Sequence, residues 1–277
     1  MSNKCLTIKT LGSVDSDNFH VGEIRLTGIA PKSGGIFLVV KFKGDYNIEC
    51  NLPMVPFNGV GNIGYQPLEK DTPYTFKIWN VLNASLISIF CKGYTNVEFF
   101  EKDNHDIEAL QYFTDIQELQ LQNTNVSGDI KNLSTLVNLT SLYLNNTNIS
   151  GDIKNLSTLV NLRGLNLNST NVSGDIKNLS TLVNLTELQL SKNVDMTTHL
   201  KDFLIALYNS GRNGKDLHIV KEIGNGVTWN IGSGTSGNYN VKFSENTIIL
   251  QEKWSDNPKT YLTGTKGGDG NWTWVES

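Results

Sequence analysis

Leu133-Ser-Thr-Leu-Val-Asn-Leu-Thr-Ser-Leu-Tyr-Leu-Asn-Asn-Thr-Asn-Ile-Ser-Gly-Asp-Ile-Lys-Asn155 is followed at once by its own copy, Leu156 to Asn178, identical at 18 of 23 positions. A looser copy runs from Leu110 to Asn132, and a fourth begins at Leu179 and fades by Lys192. Self-similarity at a fixed period of this size marks a stacked repeat, in which each unit buries its apolar face only against the next. A stack of this kind builds a surface and has no need of a buried catalytic pocket. Binding is the first expectation and catalysis the second.

Each position in the 23-mer has a physical task. Leu142 and Leu144 stand two apart, so on a short strand they share one face and point inward. The equivalent pairs Leu119 and Leu121, Leu165 and Leu167, and Leu188 and Leu190 then line up as a parallel ladder. Ile149, Gly151 and Ile153 form a second apolar turn, where the glycine permits close backbone approach. Leu133, Leu136 and Leu139 recur every third residue, which suits a 3₁₀ turn, with Ser134 expected to cap it.

The spacing L-x-x-L-x-x-L-x-x-L-x-L-x-x-T-x-[IV]-x-G-x-I resembles the leucine-rich repeat family, in the variant with Ser-Gly-x-Ile after the strand. That resemblance implies a curved solenoid whose strands line a concave side. The chain departs from the family at one place. Where most leucine-rich repeats carry a ladder of asparagines, it has Thr124, Thr147 and Thr170, with asparagine only at Asn193. A continuous threonine ladder is expected, each hydroxyl bonding a backbone group of the neighbouring coil. The ends need caps. Asp103 to Phe113 predicts an acidic-start helix in front. Behind, Leu200, Phe203, Leu204 and Leu207 predict a helix ending near Gly211, followed by a last strand from Asp216 to Val220.

The flanks have a different rhythm. Short alternating runs around Leu6–Ile8, Glu23–Leu26, Ile36–Phe42, Tyr46–Ile48, Tyr74–Trp79, Ser85–Phe90 and Val97–Phe100 predict about seven strands of an antiparallel sandwich. The loop between them holds Gly59-Val-Gly-Asn-Ile-Gly64, which lacks the strand-before and helix-after that a dinucleotide site requires. After residue 222, Val227–Ile231, Tyr239–Phe243 and Thr247–Leu250 alternate like strands, and Tyr261–Thr263 with Trp272–Trp274 predicts a hairpin. The expected fold is mainly β with short helices. It comprises an N-terminal antiparallel β-sandwich (1–101), a central leucine-rich repeat solenoid with a parallel strand ladder and helical caps (102–222), and a β-rich C-terminal extension (223–277).

Composition narrows the function. The 277 residues carry a net charge of −4 and no basic block, which disfavours binding along a nucleic-acid backbone. No apolar run approaches the ~20 residues that span a bilayer, and the start lacks an apolar signal core. Cys5, Cys50 and Cys91 fit no metal or redox spacing and read as reduced thiols. Sequons such as Asn132-Leu-Ser, Asn145-Asn-Thr, Asn155-Leu-Ser and Asn171-Val-Ser are too dense for packed coils in a glycosylating pathway, which points to a prokaryote or a phage.

Catalytic constellations are missing. His20, His105, His199 and His218 lie in unrelated contexts, and Gly234-Thr-Ser-Gly237 is one residue short of a nucleophile elbow. Asp129, Asp152 and Asp175 recur beside Lys131, Lys154 and Lys177, which reads first as a solvated charge ladder and second as a row of calcium ligands. Two binding surfaces are expected. The concave one presents Glu118, Gln120 and Gln122, then Ser141, Tyr143 and Asn145, then Gly164, Asn166 and Asn168, then Glu187, Gln189 and Ser191. Its amide-rich character suits a peptide or glycan, and equally a plain solvated sheet. The second is Trp272 and Trp274, which share a strand face and serve either a partner or a small core.

The Ser-Gly-Asp-Ile-Lys-Asn-Leu coils behind a β domain further resemble leucine-rich repeat proteins of gut bacteria and of their tailed phages, crAss-like phages included. The resemblance implies a non-enzymatic interaction protein, an exposed head or tail component of a phage particle, located in the virion. Its expected partners are other virion proteins, a host surface protein or a glycan, and self-association is compatible. No cofactor, metal, nucleic acid or membrane insertion is expected. The alternatives are a bacterial leucine-rich repeat scaffold, in the cytoplasm or at the cell surface, and last a glycan depolymerase.

Overall fold

A computed structural model describes residues 8–10, 23–29, 37–44, 47–50, 73–79, 84–92, 96–99, 104–196, 198–212, 214–221, 238–253 and 256–276. The Gly59–Gly64 loop and the Val227–Ile231 run lie outside them.

The 23-mers fold into coils in register. Strands Glu118–Gln120, Ser141–Tyr143, Gly164–Asn166 and Glu187–Leu190 pair in parallel, with Leu119, Leu142, Leu165 and Leu188 side by side. On another side of each coil, Ser127–Asp129, Asn148–Asp152, Asn171–Asp175 and Val194–Asp195 form a second parallel ladder. Between them run 3₁₀ helices Ile130–Leu133, Ile153–Leu156 and Ile176–Leu179. Every leucine and isoleucine of the pattern is fully buried. Burial of this kind stabilises by about 1.5–3 kcal/mol per large aliphatic side chain.

The triplet leucine spacing is explained by successive i→i+3 turns: Leu136 N donates to Leu133 O and Leu139 N to Leu136 O, both at 3.0 Å. The cap of each 3₁₀ helix is not serine. Asp129, Asp152 and Asp175 accept from the N–H two residues on, at 2.8–2.9 Å, while Ser134 sits at the opposite end. The helix begins at Ile130, directly after the aspartate, so the aspartate and not the serine is placed to accept from its orphan N–H.

The glycine of Ser-Gly-Asp serves this cap in the preceding coil. Gly151 has φ +108°, and a Cβ there would stand 2.4 Å from Asp129 Oδ1. Gly128 over Asp106 and Gly174 over Asp152 repeat the joint. At the last joint Asp175 pairs instead with His199 Nδ1, just before the C-terminal helix.

The threonine expectation needs correction. Thr124, Thr147 and Thr170 are buried, but their hydroxyls donate to Leu121 O, Leu144 O and Leu167 O of their own coil at 2.6–2.7 Å. Links between coils come from the Ser-Thr-Leu-Val-Asn segment and from Thr140 and Thr186, which donate to Gln117 O and Arg163 O. Thr158 and Thr181 donate to Ser134 O and Ser157 O. Asn138, Asn161 and Asn184 donate to Thr114 O, Val137 O and Val160 O at 2.9–3.0 Å.

Both ends of the ladder run on into the flanks. The expected front helix is a 3₁₀ helix, Ile107–Tyr112, capped by Asp106. Asp106 stands one period before Asp129, so this is the first coil and not a separate lid. The matching strand comes from the N-terminal region: Ala84–Lys92 pairs in parallel with Ser88, Ile89 and Phe90 opposite Glu118, Leu119 and Gln120.

Each of the seven predicted N-terminal runs meets a strand within the described residues, the first only at Ile8, and these strands lie in two places. Phe37–Gly44 pairs antiparallel with Ala84–Lys92 and so becomes one edge of the solenoid sheet. The other five form a separate sheet in the order Ile8–Thr10, Asn47–Cys50, Pro73–Trp79, Ile24–Ile29, Asn96–Phe99. Its first pair is parallel, against the antiparallel expectation. His105 Nδ1 donates to Val97 O and Asn125 Oδ1 accepts from Val97 N, which ties this sheet to the first coil.

At the other end Leu217–Lys221 adds a parallel strand to Glu187–Leu190. Asn238–Ser244, Thr247–Glu252, Thr260–Lys266 and Trp272–Glu276 then continue as an antiparallel meander. Among the described residues the result is one sheet of eleven strands. Helix Leu200–Asn209 covers the last coil with Leu200, Phe203, Leu204 and Leu207 inward, as its spacing predicts.

Tyr239 and Tyr261 meet edge to face inside the meander, 5.5 Å between centroids. Burial, with the hydrogen bond to Glu252 Oε1, pushes the Tyr261 phenol up to about 12. The folded state therefore holds this proton more tightly than the unfolded chain, whose tyrosine titrates near 10. The stabilisation is complete below about pH 10 and is lost as pH rises towards 12. Ultraviolet difference titration is expected to show a tyrosinate step near pH 12 that is missing from Tyr261→Phe. A variant that loses amplitude near pH 10 and keeps the step near 12 would contradict the assignment.

Candidate binding surface

Along each coil strand, side chains alternate between the leucine core and the open face. The open face is ordered by the register. Glu118, Ser141, Gly164 and Glu187 form one row, continued by His218 and Asn240. Gln120, Tyr143, Asn166 and Gln189 form the next. The third expected set, Gln122, Asn145, Asn168 and Ser191, follows just beyond the strands. The strand side chains of both rows are half-buried, Gly164 being fully so.

Within this face one cluster spans three coils. Gly164 lacks a side chain, and the Tyr143 ring fills the space: a Cβ at Gly164 would stand 2.6 Å from its Oη. From there Tyr143 Oη donates to Glu187 Oε2 at 3.3 Å. The other Glu187 oxygen accepts from Gln189 Nε2, and Gln189 Oε1 accepts from Asn168 Nδ2 at 3.1 Å. Asn168 N donates to Asn166 Oδ1 at 3.1 Å. Burial, and secondarily Glu187, raise the Tyr143 phenol, so it remains a donor. His218 is held below its ordinary value by burial first and by Lys253 second, against the opposing pull of Glu187 and Asn238. At neutral pH it carries little charge.

The sequence placed these residues on one face but did not join Tyr143 to Glu187. The signal was Gly164, where neighbouring coils have serine or glutamate at the same position.

The tryptophans are elsewhere. Trp272 pairs with Lys266 and Trp274 with Gly264, on the face that carries the core residues Leu262 and Leu250. The indoles stack at 5.9 Å, Trp274 lies over Gly264, and Trp272 meets Tyr208 of the C-terminal helix edge-on at 4.8 Å. Both are half-buried against the core. The two expected surfaces thus lie on opposite faces of one sheet.

The aspartate row is engaged in capping. Asp129 and Asp152 also face Lys131 and Lys154 at 3.5 and 3.3 Å. Among the described residues no three His, Cys, Asp or Glu side chains gather into a metal-binding group. No helix among them is long and apolar enough to cross a membrane.

The chain matches no family model and no curated protein. Solved structures similar to it are leucine-rich repeat proteins. An internalin (inlF) from Listeria monocytogenes is 28% identical over 48% of this chain and 34% of its own, at a TM-score of 0.36. The LRR ectodomain of the receptor kinase SOBIR1 from Arabidopsis thaliana is 22% identical over 42% of this chain and 66% of its own, at 0.33. The BIR3–SERK2 complex from the same plant follows at 25% identity, 41% of this chain and 60% of the other, and 0.32. Each likeness spans less than half of this chain, and the chain spans about a third of the internalin. The coil architecture stands on its own repeat and register.

Proposed function

We propose that this chain is a non-enzymatic protein-interaction scaffold and that the open face of its coil strands receives the partner. The observation that carries the reading is the hydrogen-bonded cluster from Tyr143 to Asn166, which holds polar side chains of three coils in place before any partner arrives. Preorganised groups lose less entropy on binding. Acid-pair chemistry fits this face poorly. Glu118 and Glu187 are three strands apart, roughly 14 Å at ~4.8 Å per strand, whereas glycoside hydrolysis needs two carboxyls within about 5–9.5 Å.

The test uses peptides selected on this protein from an unbiased displayed library. They are expected to protect the amides of 118–120, 141–143, 164–166 and 187–190 from exchange, and to lose at least tenfold in affinity against Asn166→Arg. Binders that map to the Trp272 side, or that ignore Asn166→Arg, refute the reading. The narrower placement expected from the sequence, an exposed component of a tailed phage particle, is a further proposal. Stoichiometric recovery of the chain from purified particles supports it, and absence from them refutes it.

A further inference from the structure

We infer that the Tyr143–Glu187 pair is a seat for a guanidinium, so that the partner of the open face presents an arginine from an extended segment. The inference rests on that face being the binding face. The first observation is charge. The two outward rows of the coil strands hold two carboxylates, Glu118 and Glu187, and no lysine or arginine. On the neighbouring strand, His218 feels the cation Lys253 as well as Glu187. Arg163, one residue before Gly164, is exposed at the rim.

The second observation is the state of Glu187. Its carboxylate accepts from Tyr143 Oη and Gln189 Nε2, which are neutral donors, so it is fixed in place without a cation as a hydrogen-bond partner. A carboxylate offers about four lone-pair sites, and two of these remain. The third is shape. Tyr143 lies across Gly164, where a Cβ would meet the ring, with Asn166 opposite it on the paired strand.

A planar cation above that ring would stack on the π face and reach the adjacent carboxylate through a paired N–H fork. Arginine satisfies both demands at once, whereas lysine offers a point charge without the plane. An extended segment suits the place, because laid across the strands it would meet their outward side chains at a spacing of ~4.8 Å.

Three Gly/Ser decapeptides carrying one central arginine, lysine or citrulline serve as probes, read by amide chemical-shift titration of the full chain. The arginine peptide is expected to shift Gly164 and Glu187 and to bind at least tenfold more tightly than citrulline, with lysine between. Glu187→Gln keeps an acceptor for Tyr143 and is expected to erase the difference between arginine and citrulline. Tyr143→Leu is expected to erase the difference between arginine and lysine. Unchanged thermal unfolding of both variants excludes a folding defect. Equal binding of arginine and citrulline, or no shift at Gly164 and Glu187, overturns the inference. If library-selected peptides still map to the open face, only this inference falls; if they map elsewhere, the binding-face reading falls with it.

Discussion

Arg212→Ala is expected to lower the unfolding free energy by about 3–5 kcal/mol, the largest single loss outside the leucine core. The side chain is only 3% exposed and closes the end of the solenoid. Nη1 donates to Val183 O at 3.0 Å, Nε to Lys215 O at 2.9 Å, and Nη2 to Asp216 O at 3.0 Å and to Leu185 O. In the inner coils the carbonyls of Val137 and Val160 are satisfied by Asn161 and Asn184 of the next coil. Val183 has no next coil, and Arg212 stands in for the missing asparagine.

The guanidinium also lies over Phe243, 5.5 Å from the ring centroid, so it joins the last coil to the meander. Burial lowers its affinity for the proton, with Asp216 opposing. An arginine nevertheless keeps its charge in proteins. Alanine would strip several buried carbonyls of their donor at about 1–3 kcal/mol each, partly relieved by entering water. Arg212→Lys is expected to recover less than half, since one ammonium cannot reach four carbonyls in a fixed fork. Urea unfolding measures the loss, and hydrogen exchange at residues 183–187 locates it. A change below about 1 kcal/mol would show that the end of the stack does not depend on this residue.

Gly151→Ala ranks second, with an expected loss of about 2–4 kcal/mol. Part of the cost is the left-handed backbone at φ +108°, and part is the 2.4 Å approach to Asp129 Oδ1, the cap of the preceding 3₁₀ helix. Asp129→Ala alone is expected to cost about 1 kcal/mol, as for a lost N-cap. The double variant should cost less than the sum, because the steric conflict disappears with the carboxylate. Strict additivity in that cycle would mean that glycine is needed for its backbone conformation alone.

The leucine positions were legible because hydrophobic burial depends on spacing, and spacing is written in the chain. Polar roles were harder to read. Thr147 is buried three residues after Leu144 and closes on that carbonyl in its own coil. Thr158, with the same short arm, reaches Ser134 O of the neighbour, so residue type alone did not tell the two roles apart. Asn161 makes a link between coils as well. Its repetition at Asn138 and Asn184 was visible, yet the segment around it read as a helical turn. Ser134 is not the N-cap because the helix starts earlier than the leucine spacing indicates, at Ile130, which leaves Ser134 at its C-terminal end and Asp129 at its start. The sharing of a face by Trp272 and Trp274 followed from alternation. Which face they share depended on the register with Thr260–Lys266, which no local pattern encodes. The same holds for Tyr143 and Glu187, 44 residues apart and joined only through the absent side chain at Gly164.

The repeated seam in which one coil's aspartate nests under the next coil's glycine makes the coils interchangeable parts. Excising or duplicating 23 residues would present each surviving seam with the chemistry it already had, and both terminal closures would still fit. The cluster of Tyr143, Gly164 and Glu187 has no such tolerance, since it draws one residue from each of three consecutive turns. Gain or loss of a single turn is thus a route by which this architecture can change what it grips while standing as it did before.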